Sequence, residues 1–279
     1  MKANPSTTLR AKKSLGQHFL MHPRIAERMV QAAGVSSRDT VLEIGPGTGI
    51  LTKPLLAHAK KVIAMETDGG LAARLRETFA SEIAAGDLEL IEGDIRDFDP
   101  TSIGGPYGIV ANIPYYLSGE ILRMFLSTLH KPRFMTLLMQ KEVAERIACL
   151  PAGRRGKKKE SILSVSVKAY GVPRYRFTVP RGAFVPAPRV DSAVISIDDI
   201  RSDTFVSPDE EKRFFDVVRA GFAHKRKKLA GNLAIAAGRE AAERALQTAG
   251  VPRDARSAAS RSEERRVGKE CRSRWSPYH

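Results

Sequence analysis

The chain has 279 residues, 42% of them hydrophobic, and a formal net charge of +15. This length suits one large domain plus a small one, and no apolar run approaches the ~20 residues of a membrane span. The last 20 residues, from Ser260, carry six Lys/Arg against three Asp/Glu, so +12 of the +15 belongs to the first 259 residues. A basic body points to a polyanionic partner, of which nucleic acid is the commonest; a solvated basic surface is the bland alternative.

Two cysteines, Cys149 and Cys271, indicate no disulfide framework, and the N-terminus lacks the apolar core of a signal peptide. A soluble cytoplasmic protein is expected. Residues 1–13 carry Lys2, Arg10, Lys12 and Lys13 without apolar periodicity and read as a basic arm. The segment Lys13–Leu20, with His18, looks like a lid or ligand-contacting loop; alternatively Phe19 and Leu20 staple the next helix. That helix is marked by Ile25, Met29, Val30 and Ala33 at helical spacing, and Gly34 ends it.

The stretch Thr40–Thr52 organises the chain. Val41, Leu42 and Ile44 form an apolar run that reads as a buried strand. It breaks into Gly45-Pro46-Gly47-Thr48-Gly49, and Ile50 opens a helical pattern. Strand, glycine turn and helix start make a nucleotide-binding corner, where backbone approaches a ligand closely and free N–H groups face it. Glu43 bends that reading, because a carboxylate would repel a pyrophosphate. It suits a cationic group, such as the amino-acid end of S-adenosylmethionine. Glu66 follows the run Val62–Met65 and is placed to accept from ribose hydroxyls. On these residues alone, a tight turn or a nicotinamide site stays open.

Leu71–Phe79 is expected to be helical and Leu88–Ile91 a third strand. Asp94, just after it, can meet the exocyclic amine of an adenine while Ile95 packs on the ring; taken singly, Asp94 also suits a cap or turn. Gly108–Ala111 gives a fourth strand and runs into Asn112-Ile113-Pro114-Tyr115-Tyr116. This places an amide, a prolyl turn and an aromatic at the edge where open α/β sheets bind ligands. An amide oxygen and a nearby main-chain carbonyl can accept both N–H groups of an exocyclic amine, and an aromatic face can hold the base. The bland reading is an X-Pro turn with core tyrosines.

Ser118–Leu129 reads as an amphipathic helix, Phe134–Met139 as a fifth strand, and Gln140–Ile147 as a helix. Arg154, Arg155, Lys157, Lys158 and Lys159 form a basic loop suited to a phosphate backbone or to solvent. Alternation over Ile162–Ala169 predicts a strand, and Phe177–Val179 leads to a turn. Prolines in Phe184–Ser192 fix an extended loop that presents Phe184, a second aromatic opposite Tyr115, before the strand Ala193–Ile197. Beyond Ile200 the pattern turns helical: Pro208–Gly221, Asn232-Leu233 and Ala241–Ala249. Lys225, Arg226, Lys227 and Lys228 put four cations at a helix junction, fit for phosphate contacts or simply a helix surface. The expected division is 1–200, 201–259 and a tail, 260–279.

Taken together, Lys13–Leu20, Glu43–Thr52, Glu66, Gly93-Asp94, Asn112–Tyr115, Gln140–Arg146, Phe184–Val194 and Phe222–Leu233 resemble the rRNA adenine N6-dimethyltransferases. The resemblance is to the bacterial small-subunit (16S) branch and runs from about Lys12 to about Arg256. It implies an α/β, Rossmann-like methyltransferase domain, a small C-terminal helical domain, and S-adenosylmethionine as methyl donor. It implies two methyls on each of two neighbouring adenines near the 3′ end of 16S rRNA, in an immature small subunit. A monomer with no metal and no membrane partner is expected. By the same resemblance His18 and Leu20 contact the cofactor from the lid. Gly45, Gly47 and Gly49, with Glu43, hold its methionine end, Glu66 its ribose, and Asp94 and Ile95 its adenine. Asn112 also lies beside the methyl-bearing end of the cofactor, Asn112 and Pro114 orient the target N6, and Tyr115 and Phe184 stack on the flipped base. From their charge, Lys12, Lys13, the basic loop and the helix junction are the expected RNA contacts.

The sequence departs from the family pattern at His18, where Asn is also common, in the lysine-rich loop 153–160, and after about Ser260. The tail lacks apolar periodicity and is expected to be appended sequence. Close alternatives are the large-subunit adenine dimethyltransferases of macrolide resistance and a non-catalytic ribosome-assembly factor. A DNA adenine methyltransferase is disfavoured by Ile113, where those enzymes usually carry a first proline.

Overall fold

Strands buried on both faces need largely apolar runs, and four of the five parallel strands of one sheet are of this kind; the fifth, Leu88–Glu92 at the sheet edge, exposes Glu89 and Glu92. The computed structural model describes residues 17–149, 160–224, 227–252 and 255. A short strand, β1 (Phe19–Leu20), stands apart from the main sheet. The parallel strands are β2 (Thr40–Ile44), β3 (Lys61–Glu66), β4 (Leu88–Glu92), β5 (Tyr107–Asn112) and β6 (Met135–Gln140). Then come β7 (Val172–Val179), β8 (Phe184–Val185), which pairs with β1, and β9 (Ser192–Asp198). β9 runs antiparallel to both β6 and β7, giving the order β4-β3-β2-β5-β6-β9-β7.

That order fixes where a ligand can sit. From β2 the chain builds outward through β3 and β4, then returns to place β5 on the other side of β2. The reversal opens a crevice beyond the carboxyl ends of β2 and β5, the usual binding place in such sheets. The Gly45–Gly49 turn and the Asn112–Tyr116 turn both emerge there.

The helices are α1 (Pro23–Ala33), α2 (Thr52–His58), α3 (Gly69–Thr78), α4 (Ala80–Ala85), α5 (Ser118–Ser127), α6 (Lys141–Ile147), α7 (Ile162–Tyr170), α8 (Pro208–Phe222), α9 (Leu229–Ala237) and α10 (Arg239–Thr248). α1 starts on Pro23, which fits its first turn, and stops at Gly34 in the left-handed region. Val41, Leu42, Val62, Ile109 and Leu137 from the strands are fully buried, as is Phe125 from α5. Each buried side chain of this size contributes about 1.5–3 kcal/mol.

The chain forms two compact units that are not two consecutive halves. Among the described residues, one gathers those of Met1–Ala148 and Val167–Thr204, and the other those of Cys149–Ser166 and Phe205–His279. In the second unit Ser207 caps α8 by accepting from the Glu210 amide at 3.2 Å. Buried Asn232 of α9 donates through Nδ2 to the carbonyls of Gly221 (2.7 Å) and His224 (3.0 Å), satisfying groups that the end of α8 leaves open.

One expected element is wrong. Ile162–Ala169 is not a strand but most of α7. Its Ser-Val-Ser-Val alternation is overridden by reciprocal capping. The Ser164 amide donates to Ser161 Oγ (3.1 Å), and the Ser161 amide donates to Ser164 Oγ (2.7 Å). Burial then recurs at Ser164, Val167 and Tyr170, a helical spacing. The Phe177–Val179 stretch is the end of β7, which starts at Val172.

Candidate active site

The glycine turn is shaped by its own backbone. Gly45, Gly47 and Gly49 have φ of 67°, 59° and 80°, where a side chain is strained. Gly49 is closed to a side chain as well, since a Cβ there would lie 2.6 Å from the Phe79 ring. The Gly45 amide donates to the Met65 carbonyl and the Gly47 amide to Glu66 Oε2, each at 2.9 Å. Glu66 Oε1 accepts from the Asp68 amide at 2.9 Å. Burial pushes the Glu66 carboxyl up, and these two amides pull it back. A carboxylate has about four acceptor positions, so Glu66 braces the turn and keeps capacity for hydroxyl groups.

Glu43 is different. It is 1% exposed and lines the cavity, yet neither carboxyl oxygen has a hydrogen-bond partner. Burial pushes its carboxyl up to about 8; Thr52 opposes this, without reaching hydrogen-bonding geometry, and Glu66 adds to it. A buried acid left unsatisfied in a cavity wall is a costly arrangement that a cationic ligand would relieve.

Asp94 and Ile95 follow β4 and line the same cavity. Ile95 is buried. Asp94 is already engaged: the Arg96 guanidinium forks onto both of its oxygens, and the Arg96 amide donates to Oδ1. Those bonds hold its carboxyl below the usual range.

On the other side of the crevice, Asn112 ends β5 and its Nδ2 donates to the His18 carbonyl at 3.3 Å. This leaves Oδ1 as the acceptor end of the amide. Pro114 precedes a short helical turn, Tyr115–Leu117, and its carbonyl accepts from the Leu117 amide at 3.0 Å. The Tyr115 ring stacks on His18, with centroids 5.6 Å apart and planes at 27°. His18 Nδ1 donates to the Pro186 carbonyl at 2.7 Å. Leu20 pairs with Phe184 across β1 and β8, and both side chains are buried in the cavity wall. Phe184 therefore reaches the cavity from a strand rather than from an extended loop, and the ring found against Tyr115 is that of His18.

His18, Leu20, Glu43, Gly45, Gly47, Glu66, Asp94, Ile95, Asn112, Pro114, Tyr115 and Phe184 thus border one cavity; Gly49 shapes its turn from behind, against Phe79. Phe19, within the expected Lys13–Leu20 lid, backs the turn, 3.3 Å from where a Gly47 Cβ would lie. Two further contributors were not expected from the sequence. Arg96 covers Asp94. Ser192 bonds the Tyr115 hydroxyl at 2.6 Å. Only Arg96 had a local signal, two residues from Asp94. Of the expected RNA contacts, Lys227 and Lys228 are exposed at the start of α9. Lys12, Lys13, Arg154, Arg155, Lys157, Lys158, Lys225 and Arg226 lie outside the described residues, as does the tail after residue 260.

A family model described as ribosomal RNA adenine dimethylase matches residues 8–265. The chain belongs to that family. A ribosomal RNA small subunit methyltransferase A from Dehalococcoides mccartyi is 41% identical over 230 residues, covering 81% of this chain and 76% of the relative. One from Pelotomaculum thermopropionicum is 38% identical over 255 residues, covering 86% and 84%. Among solved structures, the 23S rRNA methyltransferase ErmE superposes with a TM-score of 0.71 at 27% identity, covering 87% of this chain and 94% of that one. A dimethyladenosine transferase from Plasmodium falciparum gives 0.67 at 30% identity, covering 83% and 78%. The architecture is that of a Rossmann-like, S-adenosylmethionine-dependent methyltransferase, as the dimethylase resemblance implied.

Proposed function

We propose that the protein transfers methyl groups from S-adenosylmethionine to the N6 atoms of two adjacent adenines near the 3′ end of 16S rRNA. The observation that carries this is the opening of the Asn112–Tyr115 turn onto the same cavity as the unsatisfied Glu43 carboxyl. The cavity residues fit the cofactor: Glu43 suits its ammonium group, Glu66 has acceptor capacity for ribose hydroxyls, and Asp94 with Ile95 suits an adenine. The names of these relatives support the small-subunit branch. The 23S enzyme ErmE shares the fold at lower identity and marks the large-subunit branch as the rival.

When bound, the sulfonium supplies an electrophilic methyl group. The protein's own part is placement. Adenine N6 is a poor nucleophile because its lone pair is delocalised into the ring. Asn112 Oδ1 and a main-chain carbonyl of the turn accept its two hydrogens, which favours a tetrahedral nitrogen with its lone pair aimed at the methyl carbon. Tyr115 holds the ring plane, and the cavity wall of Leu20, Ile95 and Phe184 excludes water. The proton leaves only once the new bond forms, so no strong general base is required; orientation and fixed dipoles supply the rate.

The finer reading places this activity in the cytoplasm, on rRNA in an immature small subunit, by a monomer. The basic body supports a polyanionic substrate, and among the described residues no helix is long and apolar enough to cross a membrane. Labelled methyl transfer to unmethylated small subunits, large subunits and duplex DNA tests the reading. Label in small-subunit dimethyladenosine is expected; label confined to large subunits would move the protein to the other branch.

A further inference from the structure

We infer that Ser192 is a positioning residue for methyl transfer, tethering the phenol of Tyr115 and so setting the plane on which the target base lies. This role rests on the dimethyltransferase reading. Stacking uses only the face of an aromatic ring, and phenylalanine would serve as well as tyrosine. The Tyr115 hydroxyl nevertheless makes a short bond, 2.6 Å to Ser192 Oγ, across 77 residues of sequence. The position pairs a hydroxyl that stacking does not need with one that is fully buried.

The two ends of the tether differ in rigidity. Ser192 is the first residue of β9, held between Gln140 of β6 and Val179 of β7. Its neighbour Asp191 is fixed twice more: its carbonyl accepts from the Lys141 amide (3.0 Å) and its Oδ1 from the Arg181 amide (2.9 Å). Tyr115, by contrast, belongs to a three-residue turn in the cavity wall, with its carbonyl accepting from Ser118 Oγ at 3.1 Å. The tether thus transfers the sheet's rigidity to the ring. Ser192 does not itself line the cavity, so its loss leaves the cofactor contacts in place. What changes is the tilt of the Tyr115 ring, and with it the approach of N6 to the methyl carbon. Misplacement by about 1 Å is enough to cost orders of magnitude in rate.

The test uses the full chain and unmethylated small subunits at saturating S-adenosylmethionine, with Ser192→Ala, Tyr115→Phe and the double variant. Each single change is expected to lower kcat about tenfold. KM for the subunit and cofactor affinity should stay near wild type, the thermal midpoint should fall by no more than one lost buried hydrogen bond accounts for, and the double variant should be no worse in kcat than either single one. Wild-type kcat in Ser192→Ala would overturn the proposal, and so would multiplicative losses in the double variant. Failure of the wild-type protein to methylate any subunit would instead refute the dimethyltransferase reading, and the tether with it.

Discussion

The proposed contact of Glu43 with the cofactor's ammonium group would tie cofactor binding to pH. Its carboxyl ordinarily titrates near 4.5 and is pushed up to about 8 in the fold. The folded chain therefore binds this proton more tightly than the unfolded chain does. Its contribution to stability is full below about 4.5 and is lost as pH rises through about 8. A cation beside the carboxylate favours the ionised form, so binding of S-adenosylmethionine expels the proton. Affinity is expected to rise from pH 6 to pH 8, with about one proton released at the acidic end, read by calorimetry in buffers of different ionisation heat. Glu43→Gln should flatten this profile and bind more weakly. Glu66, also raised by burial, leaves a residual slope. A variant with an unchanged pH profile would show that Glu43 does not meet the cationic group.

At the scale of the element, the glycine turn separates strain from space. Gly45→Ala meets no atom within 4 Å and suffers only the left-handed backbone, about 1–2 kcal/mol. Gly49→Ala adds a 2.6 Å clash with Phe79 and should be the more destabilising in denaturant titrations, by about 1–3 kcal/mol. Equal losses would mean that Phe79 can move aside. The turn was legible in sequence because left-handed backbone there requires glycine, and β2, β3 and β5 were legible because burial on both faces forces continuous apolar runs. α7 was not, since its side-chain alternation matches a strand and the deciding contacts are two serine hydroxyls on main-chain amides. Ser161→Ala should remove that cap and cost about 1 kcal/mol. The Tyr115–Ser192 bond was invisible for a different reason: its partners meet only after β5 and β9 are placed on either side of β6.

Over the whole molecule, charge and topology divide the work. The topological switch point gathers the proposed cofactor and base contacts at one crevice, while the net positive charge of the first 259 residues suits attraction to a polyanion over longer range. RNA affinity should fall steeply with salt. Removing a phosphate-contacting lysine should reduce the slope of log affinity against log salt by about one. Lys227→Ala and Lys228→Ala, exposed at the start of α9, are expected to do so without changing cofactor affinity; a slope equal to wild type would remove them from the interface.

The central claim is that the Asn112–Tyr115 turn presents adenine N6 to the methyl donor. The most direct measurement is single-turnover transfer of labelled methyl to unmethylated small subunits by wild type and Asn112→Ala, with cofactor binding measured alongside. Label in N6,N6-dimethyladenosine near the 3′ end of the small-subunit rRNA is expected from wild type. The variant should lose at least about a hundredfold in rate while still binding S-adenosylmethionine. Transfer by Asn112→Ala at the wild-type rate would contradict the claim and place the chemistry elsewhere.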